Sequence, residues 1–185
     1  HVEGGISRYT VDEDWVIPHF EKMLYDNTQF ILLISKYCKI DKNEYFKEKL
    51  EQTIQFIKKE FLNKNKLLGS AYDADSDGEE GKYYIYSYEE IKEIKGIADY
   101  FEINEKGNWK NKIILVERKK APKKILEKLY EIRVKKNKPF FDDKTQLDLN
   151  CMWISGLIAA HEILPERDYL KLAESFFSNI EENYI

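Results

Sequence analysis

The chain has 185 residues, with 30 basic and 34 acidic side chains and a net charge of −4, a balance that excludes a basic nucleic-acid or anionic-membrane surface. Apolar residues at 43% and aromatics at 14% exclude wholesale disorder. No run of about 18 uncharged apolar residues is present to cross a bilayer, and no signal peptide is evident.

The chain opens on "HVEGG" without a methionine and reads as a fragment. Residues 1 to 14 form a loop with Gly4-Gly5 and then Asp12, Glu13 and Asp14. Pro18 suits the first turn of a helix, where a missing N–H is harmless. From there Phe20, Met23, Leu24, Phe30, Ile31 and Ile34 recur at helical spacing to about Cys38. Asp41 or Asn43 caps a second helix with an apolar stripe of Phe46, Leu50, Ile54, Ile57 and Phe61. The short connection predicts an antiparallel helical hairpin.

The rhythm then changes. Leu67 to Tyr72 and Lys82 to Tyr86 read as two strands of a β-hairpin around an acidic loop, an insertion at about residues 66–87. Ser87 and Glu90 form a capping box that opens a short helix over 88–95. Gly107 marks a turn, and "KIILVE" reads as one more strand. Pro122 opens a helix over 121–137, which Pro139 ends; "FFDDKTQLD" is a loop. Residues 149–163 and 167–183 predict a second helical hairpin. The chain is therefore expected to be mainly α, one partial domain over 1–185, with recurring hairpins that suggest a toroid or solenoid.

Cys38 and Cys151 are far apart and form no CxxC, so neither a redox dithiol nor a zinc site is implied. Two buried thiols in a reducing cytoplasm are expected. Trp15, Tyr9, Tyr72, Trp109 and Trp153 are expected mostly in the core.

Carboxylates gather in three places. Asp12 and Asp14 precede the first helix, and His19 and Glu21 are read into its first turn, where the dipole favours anions. Capping explains acids there but not His19, Tyr25 and Asn27. On a helix Glu21 and Tyr25 share one face, and His19 and Asp26 a neighbouring one. The second place is "DADSDGEEG". Asp73, Asp75, Asp77 and Gly78 match the first half of a calcium loop, but position 84 is Tyr where the pattern needs Glu. An acidic hairpin loop offering Asp73 and Asp75 to a cleft, or a solvated turn, fits better, and no metal is assigned. The third is Asp142-Asp143, an acidic pair before a helix headed by Asn150. These acids read either as caps or as general acid–base groups for a sugar.

Together these stretches resemble one family. "HVEGGISRYTVDEDWVIPHFEKMLYDN", "SAYDADSDGEEGKYYIYSYEEI", "GNWKNKIIL" and "KPFFDDK" are similar, in order, to motifs of the spermatogenesis-associated, YyaL-like proteins, which are largely uncharacterised. The resemblance implies an interior part of an (α/α)6 toroid like those of sugar epimerases and six-hairpin glycosidases. It also implies a thioredoxin-like domain in the full-length protein, outside this chain. One departure stands out: in "TQLDLNCMW", Leu149 and Cys151 replace the family's Trp and Gly around Asn150.

The resemblance places the three acidic stretches on one face of the ring. His19, Glu21, Asp73, Asp75 and Asp142 would then be catalytic, and Arg8, Tyr9, Tyr25, Asp26, Asn27, Asp143 and Asn150 would bind substrate. The expected activity is that of a sugar isomerase, epimerase or glycoside hydrolase without a cofactor, with a sugar ligand. The scarcity of histidines (His1, His19 and His161) weighs against the epimerase version, and His161 reads as a packing residue. The alternative is a non-catalytic scaffold for the thioredoxin-like domain, in which Arg8 clamps Asp12 or Glu21. An incomplete ring also exposes apolar flanks suited to a homodimer.

Overall fold

The computed structural model describes residues 2–184, and most of their regular structure is helical. In chain order the elements are β1 (Lys22–Met23), α1 (Leu24–Cys38), α2 (Glu44–Glu60), β2 (Ala71–Tyr72), β3 (Asp75–Ser76), β4 (Glu79–Glu80), α3 (Tyr88–Ile91), α4 (Lys123–Arg133), β5 (Phe141–Asp142), α5 (Leu147–His161) and α6 (Tyr169–Tyr184), with a 3-10 turn at Ile97–Asp99. They fall into two units. Unit one gathers Ser7–Glu21 and Asp73–Phe140, with Val2 and Glu3; unit two gathers Gly4–Ile6, Lys22–Tyr72 and the stretch from Phe141 onward.

Unit two is two helical hairpins and a three-stranded sheet. Asn43 caps α2 as its sequence position suggests, its side chain accepting from the Tyr45 N–H. α1 packs on both α2 and α5, and α5 packs on α6. The core runs through Leu24, Ile31, Leu50, Ile54, Ile57, Phe61, Trp153 and Leu157, all fully buried. β2 lies between β1 and β5, antiparallel to each, with Tyr72 opposite Phe141 and Lys22. The "FFDDK" segment therefore begins as a strand rather than a loop.

Asn27 and Asn150 hold this unit in the same way. Each is fully buried and is the fourth residue of its helix. Asn27 Oδ1 accepts from the Ile6 N–H (2.8 Å), and its Nδ2 donates to the carbonyls of Ile6 (3.2 Å) and Met23 (2.8 Å). Asn150 Oδ1 accepts from the Leu68 N–H (2.9 Å), and its Nδ2 donates to the carbonyls of Leu68 (3.1 Å) and Gln146 (2.9 Å). Both amides thus pair with both backbone groups of one distant residue, as a neighbouring strand would, and also with the carbonyl of their own helix's N-cap residue, four positions back.

Fully buried Lys22 is the third clamp. Its Nζ donates to the carbonyls of Gly4 and Gly5, both at 3.0 Å, and lies 4.5 Å from the Phe56 ring centre. A Cβ on Gly5 would meet the Phe56 ring at 2.3 Å, so the chain approaches this closely only because both positions are glycine.

Unit one has less regular structure. Its acidic hairpin forms, but more tightly than the sequence suggests: the strands are β3 and β4, Asp75 opposite Glu80, closed through Asp77-Gly78. Residues 81–84 form turns, because the carbonyl of Gly81 accepts from the N–H groups of Tyr84 and Ile85. The Ser87–Glu90 capping box is present, but α3 ends after one turn. α4 begins after Pro122 and stops at Arg133, well before Pro139. Its buried Ile125 and Leu129 join Tyr86, Ile91, Ile97, Phe101 and Ile113 in one core cluster. "KIILVE" forms isolated bridges, Tyr86 with Ile113 and Phe101 with Glu117. Arg133, 3% exposed, pairs with Glu3 and lies against the rings of Tyr83 and Tyr130.

The first helix corrects the sequence reading most. It begins at Leu24, not near Pro18, with Met23 as its N-cap residue. Residues 8–11 and 17–21 instead form an antiparallel ladder: Val11 N–H to Ile17 O, His19 N–H to Tyr9 O and Arg8 N–H to Glu21 O, with Pro18 opposite Thr10. A proline has no N–H to give, and at Pro18 none is required. Two other expectations fail. Trp15 and Tyr9 are exposed rather than in the core, and Cys151 is exposed while Cys38 is buried. Trp15 stands on the turn between the two arms of the ladder, which leaves its indole in water.

Replacing Asn150 with Ala leaves the Leu68 N–H and C=O buried without partners, a loss of about 3 kcal/mol, and Asn27→Ala acts likewise on Ile6. Urea unfolding measures both. Asn150→Asp is the sharper control: it keeps the shape and the acceptor but cannot donate. It should destabilise nearly as much as Ala, and full stability of this variant would refute the bracket.

Candidate functional site

Four of the expected site residues meet on the unit-one ladder. Arg8 Nη1 donates to Glu21 Oε2 at 3.1 Å, and His19 Nδ1 lies 3.5 Å from the same oxygen. The Tyr9 ring stacks on the His19 imidazole, centroids 4.6 Å apart. The ladder explains the grouping. His19 bonds to the Tyr9 carbonyl and Arg8 to the Glu21 carbonyl, so cross-strand neighbours share a face. The helical-face argument does not apply, since neither His19 nor Glu21 lies in α1.

This group is chemically usable. Glu21 is partly exposed and held by a guanidinium, so its carboxylate stays fixed and reachable. His19 Nδ1 is buried without a hydrogen bond. At 3.5 Å the Glu21 carboxylate is just beyond bonding reach, and a shift of a few tenths of an ångström would join them. Nδ1 would then be pinned by a carboxylate and Nε2 left to serve a ligand, the arrangement that orients a histidine for proton transfer.

The other unit-one acids stand differently. Asp73 turns its Oδ1 onto the Ala74 N–H at 2.6 Å and closes its own turn. Its main-chain N–H pairs with the carbonyl of Phe140, an aromatic that is 73% exposed. Asp75 is exposed on β3. Ala74 and Ser76 are buried, whereas Asp73, Asp75 and Asp77 between and beside them are exposed. Asp77 is tied to Asn137 and Lys82, and these contacts hold its carboxyl below the usual range against the opposing effect of desolvation. Among the described residues, no three His, Cys, Asp or Glu converge on a metal position.

In unit two, Asp142 sits on β5 and accepts from the Lys144 N–H at 3.2 Å; Asp143 is exposed. Tyr25 packs against the helical core, and Asp26 is half-buried in the first turn of α1. Asn27 and Asn150, expected to touch substrate, are fully buried with their amides given to main-chain groups. Leu149 is buried among core residues, so this position packs the interior instead of lining a cleft. His161, expected as a packing residue, is half-buried at the end of α5.

Lys22 and Arg133 were not anticipated. Lys22 gave no sequence signal: its burial alternates with that of Phe20 and Leu24 at period two, but its charge hides the pattern. Arg133 had only its rarity among the basic residues.

The comparisons with known proteins agree with the motif resemblance. An uncharacterised Caenorhabditis elegans protein is 29% identical over 94% of the chain. Human spermatogenesis-associated protein 20 is 32% identical over 51% of the chain, and its mouse counterpart 33% over the same share. Over these stretches the chain is similar to the spermatogenesis-associated proteins. The chain spans 30% of the nematode protein and 13% of the mammalian ones. No family model matches. No described helix is long and apolar enough to cross a membrane.

Asp12 shapes the turn above the site. Its Oδ1 accepts from the Ile17 N–H (2.6 Å) and Thr10 Oγ1 (2.9 Å), and its Oδ2 from the Val16 N–H (3.2 Å). Desolvation pushes its pKa up, but these hydrogen bonds outweigh it and the net shift is downward. A lowered carboxylate pKa contributes stability above its unfolded value that is lost as pH falls through the folded one. The urea midpoint should therefore drop on acidification below roughly pH 4, and less steeply in Asp12→Ala. Parallel pH profiles for the two proteins would refute this role.

Proposed function

We propose that the chain is a segment of an (α/α)6 toroid of the carbohydrate-active class, and that Arg8, Tyr9, His19 and Glu21 form its polar ligand surface. The observation that carries the reading is the carboxylate of Glu21, shared by a guanidinium and an imidazole beside a stacked tyrosine. Sugars are bound by such combinations: a planar ring face for the C–H surface and fixed charged groups for the hydroxyls. His19, oriented by Glu21, would move a proton to or from the sugar; Asp73 and Asp75 are the further carboxylates of the same unit. This chemistry suits an isomerase, epimerase or glycoside hydrolase. The toroid part rests on two hairpins built alike, α1 packed on α5, each with an asparagine bracket at its fourth residue. On this reading Asp142 and Asp143 belong to the rim, and the thioredoxin-like domain is a neighbour in the longer protein.

A second reading has its own support. Asn27, Asn150 and Lys22 are wholly committed to holding main chain, as a non-catalytic scaffold would require. One experiment separates the two. A thermal-shift screen with mono- and disaccharides should find a sugar that raises the melting temperature saturably. Glu21→Gln and His19→Asn should abolish that rise while melting, unliganded, close to wild type, because both side chains are partly exposed. If no sugar shifts the wild type, or both variants respond in full, the scaffold reading stands instead.

A further inference from the structure

Trp15 is unlike the other two tryptophans. Trp153 is fully buried and Trp109 half-buried, whereas Trp15 is 84% exposed. It stands at the tip of the 8–21 ladder, where its φ is +58°. Asp12 fixes this tip through Val16, Ile17 and Thr10, so the indole is presented on a set turn. Val11, at the start of the same tip, is 54% exposed. So large an apolar ring left in water on an ordered turn is the usual form of a binding anchor.

The surroundings indicate what it binds. Glu13 and Asp14 are exposed, and among the described residues neither they nor Asp12 form an ion pair. The carboxylates of Glu13 and Asp14, next to Trp15 in sequence, thus stand exposed without a cation, while that of Asp12 is taken up by the turn. A neutral sugar would use the indole face but gain nothing from this charge. A nucleic acid or an anionic membrane would be repelled. Lysine and arginine gain from both features, since an indole face attracts cations and the acids supply the field.

We propose that residues 11–16 form a docking knob: Trp15 inserts into an apolar recess of a protein partner whose rim carries lysine or arginine. The knob is separate from the Arg8–Glu21 group, and the proposal does not depend on carbohydrate activity.

The test is fluorescence anisotropy with a fluorescein-labelled amphipathic peptide of arginine and leucine. The 185-residue chain should bind it saturably and more weakly as salt rises. Trp15→Ala should weaken binding about tenfold, as loss of a Trp anchor does, and so should Glu13→Gln with Asp14→Asn, which keeps the ring. Both variants alter exposed side chains only, and circular dichroism confirms their folding. Glu21→Gln should bind like wild type. The proposal is overturned if the peptide does not bind, if Trp15→Ala binds equally, if a glutamate–leucine peptide binds as well, or if maltotetraose displaces the basic peptide.

Discussion

Buried main chain needs hydrogen-bond partners, and here the side chains of Asn27, Asn150 and Asn108 each provide both a donor and an acceptor to one residue where no strand does. Asn27 brackets Ile6, Asn150 brackets Leu68, and Asn108 brackets Ile114 with its Oδ1 accepting at 2.8 Å and its Nδ2 donating at 2.9 Å. An amide is the side chain for this work because it offers one acceptor and a donor at about the spacing of a peptide group. A carboxylate can only accept and a lysine can only donate. The brackets pin short irregular segments whose backbone would otherwise be orphaned. In unit two they act at the head of α1 and of α5, the helices around which both hairpins are built.

This constraint sorts the polar residues of the motif-rich stretches. Asn27, Asn150 and Lys22 turn inward and hold the chain. Arg8, Tyr9, His19 and Glu21 turn toward the surface and hold one another. The first group explains why "GGI" and "FEKMLYDN" go together: the ammonium of Lys22 grips the glycine carbonyls, and the amide of Asn27 grips the next residue, Ile6. The second group carries whatever chemistry the ladder performs. A dense motif can therefore be part architecture and part site, and burial with hydrogen-bond partner tells the two apart.

Much of unit two was legible because its helices follow local rules. The apolar stripe of α2, its Asn43 cap and the α5–α6 hairpin rest on spacing within one element. The same is true of the Ser87–Glu90 box. What failed depends on partners far away in sequence. β2 meets β5 across about seventy residues, so Phe141–Asp142 looked like a loop. Pro18 suggested a helix start, yet its lack of an N–H also suits the strand position opposite Thr10. The period-two burial of Phe20, Lys22 and Leu24 was hidden because a pattern search counts apolar residues and Lys22 is charged. Asn150 looked like a cap because nothing local shows that its amide reaches Leu68. His19 and Glu21 were read onto a helix and Arg8 and Tyr9 into a loop, whereas the four meet across an antiparallel ladder whose partners are ten or more residues apart.

Amide hydrogen exchange followed by NMR tests the bracket account most directly. The N–H groups of Leu68 and Ile6 lie outside any helix or named strand, and only an asparagine oxygen accounts for their protection. They should exchange as slowly as core helix amides such as those of Ile54 and Leu157. In Asn150→Ala the Leu68 amide should accelerate by roughly a hundredfold or more relative to Ile6, as expected when a protected amide opens locally. Rapid exchange of Leu68 and Ile6 in the wild type, at the rate of exposed loop amides, would contradict the account.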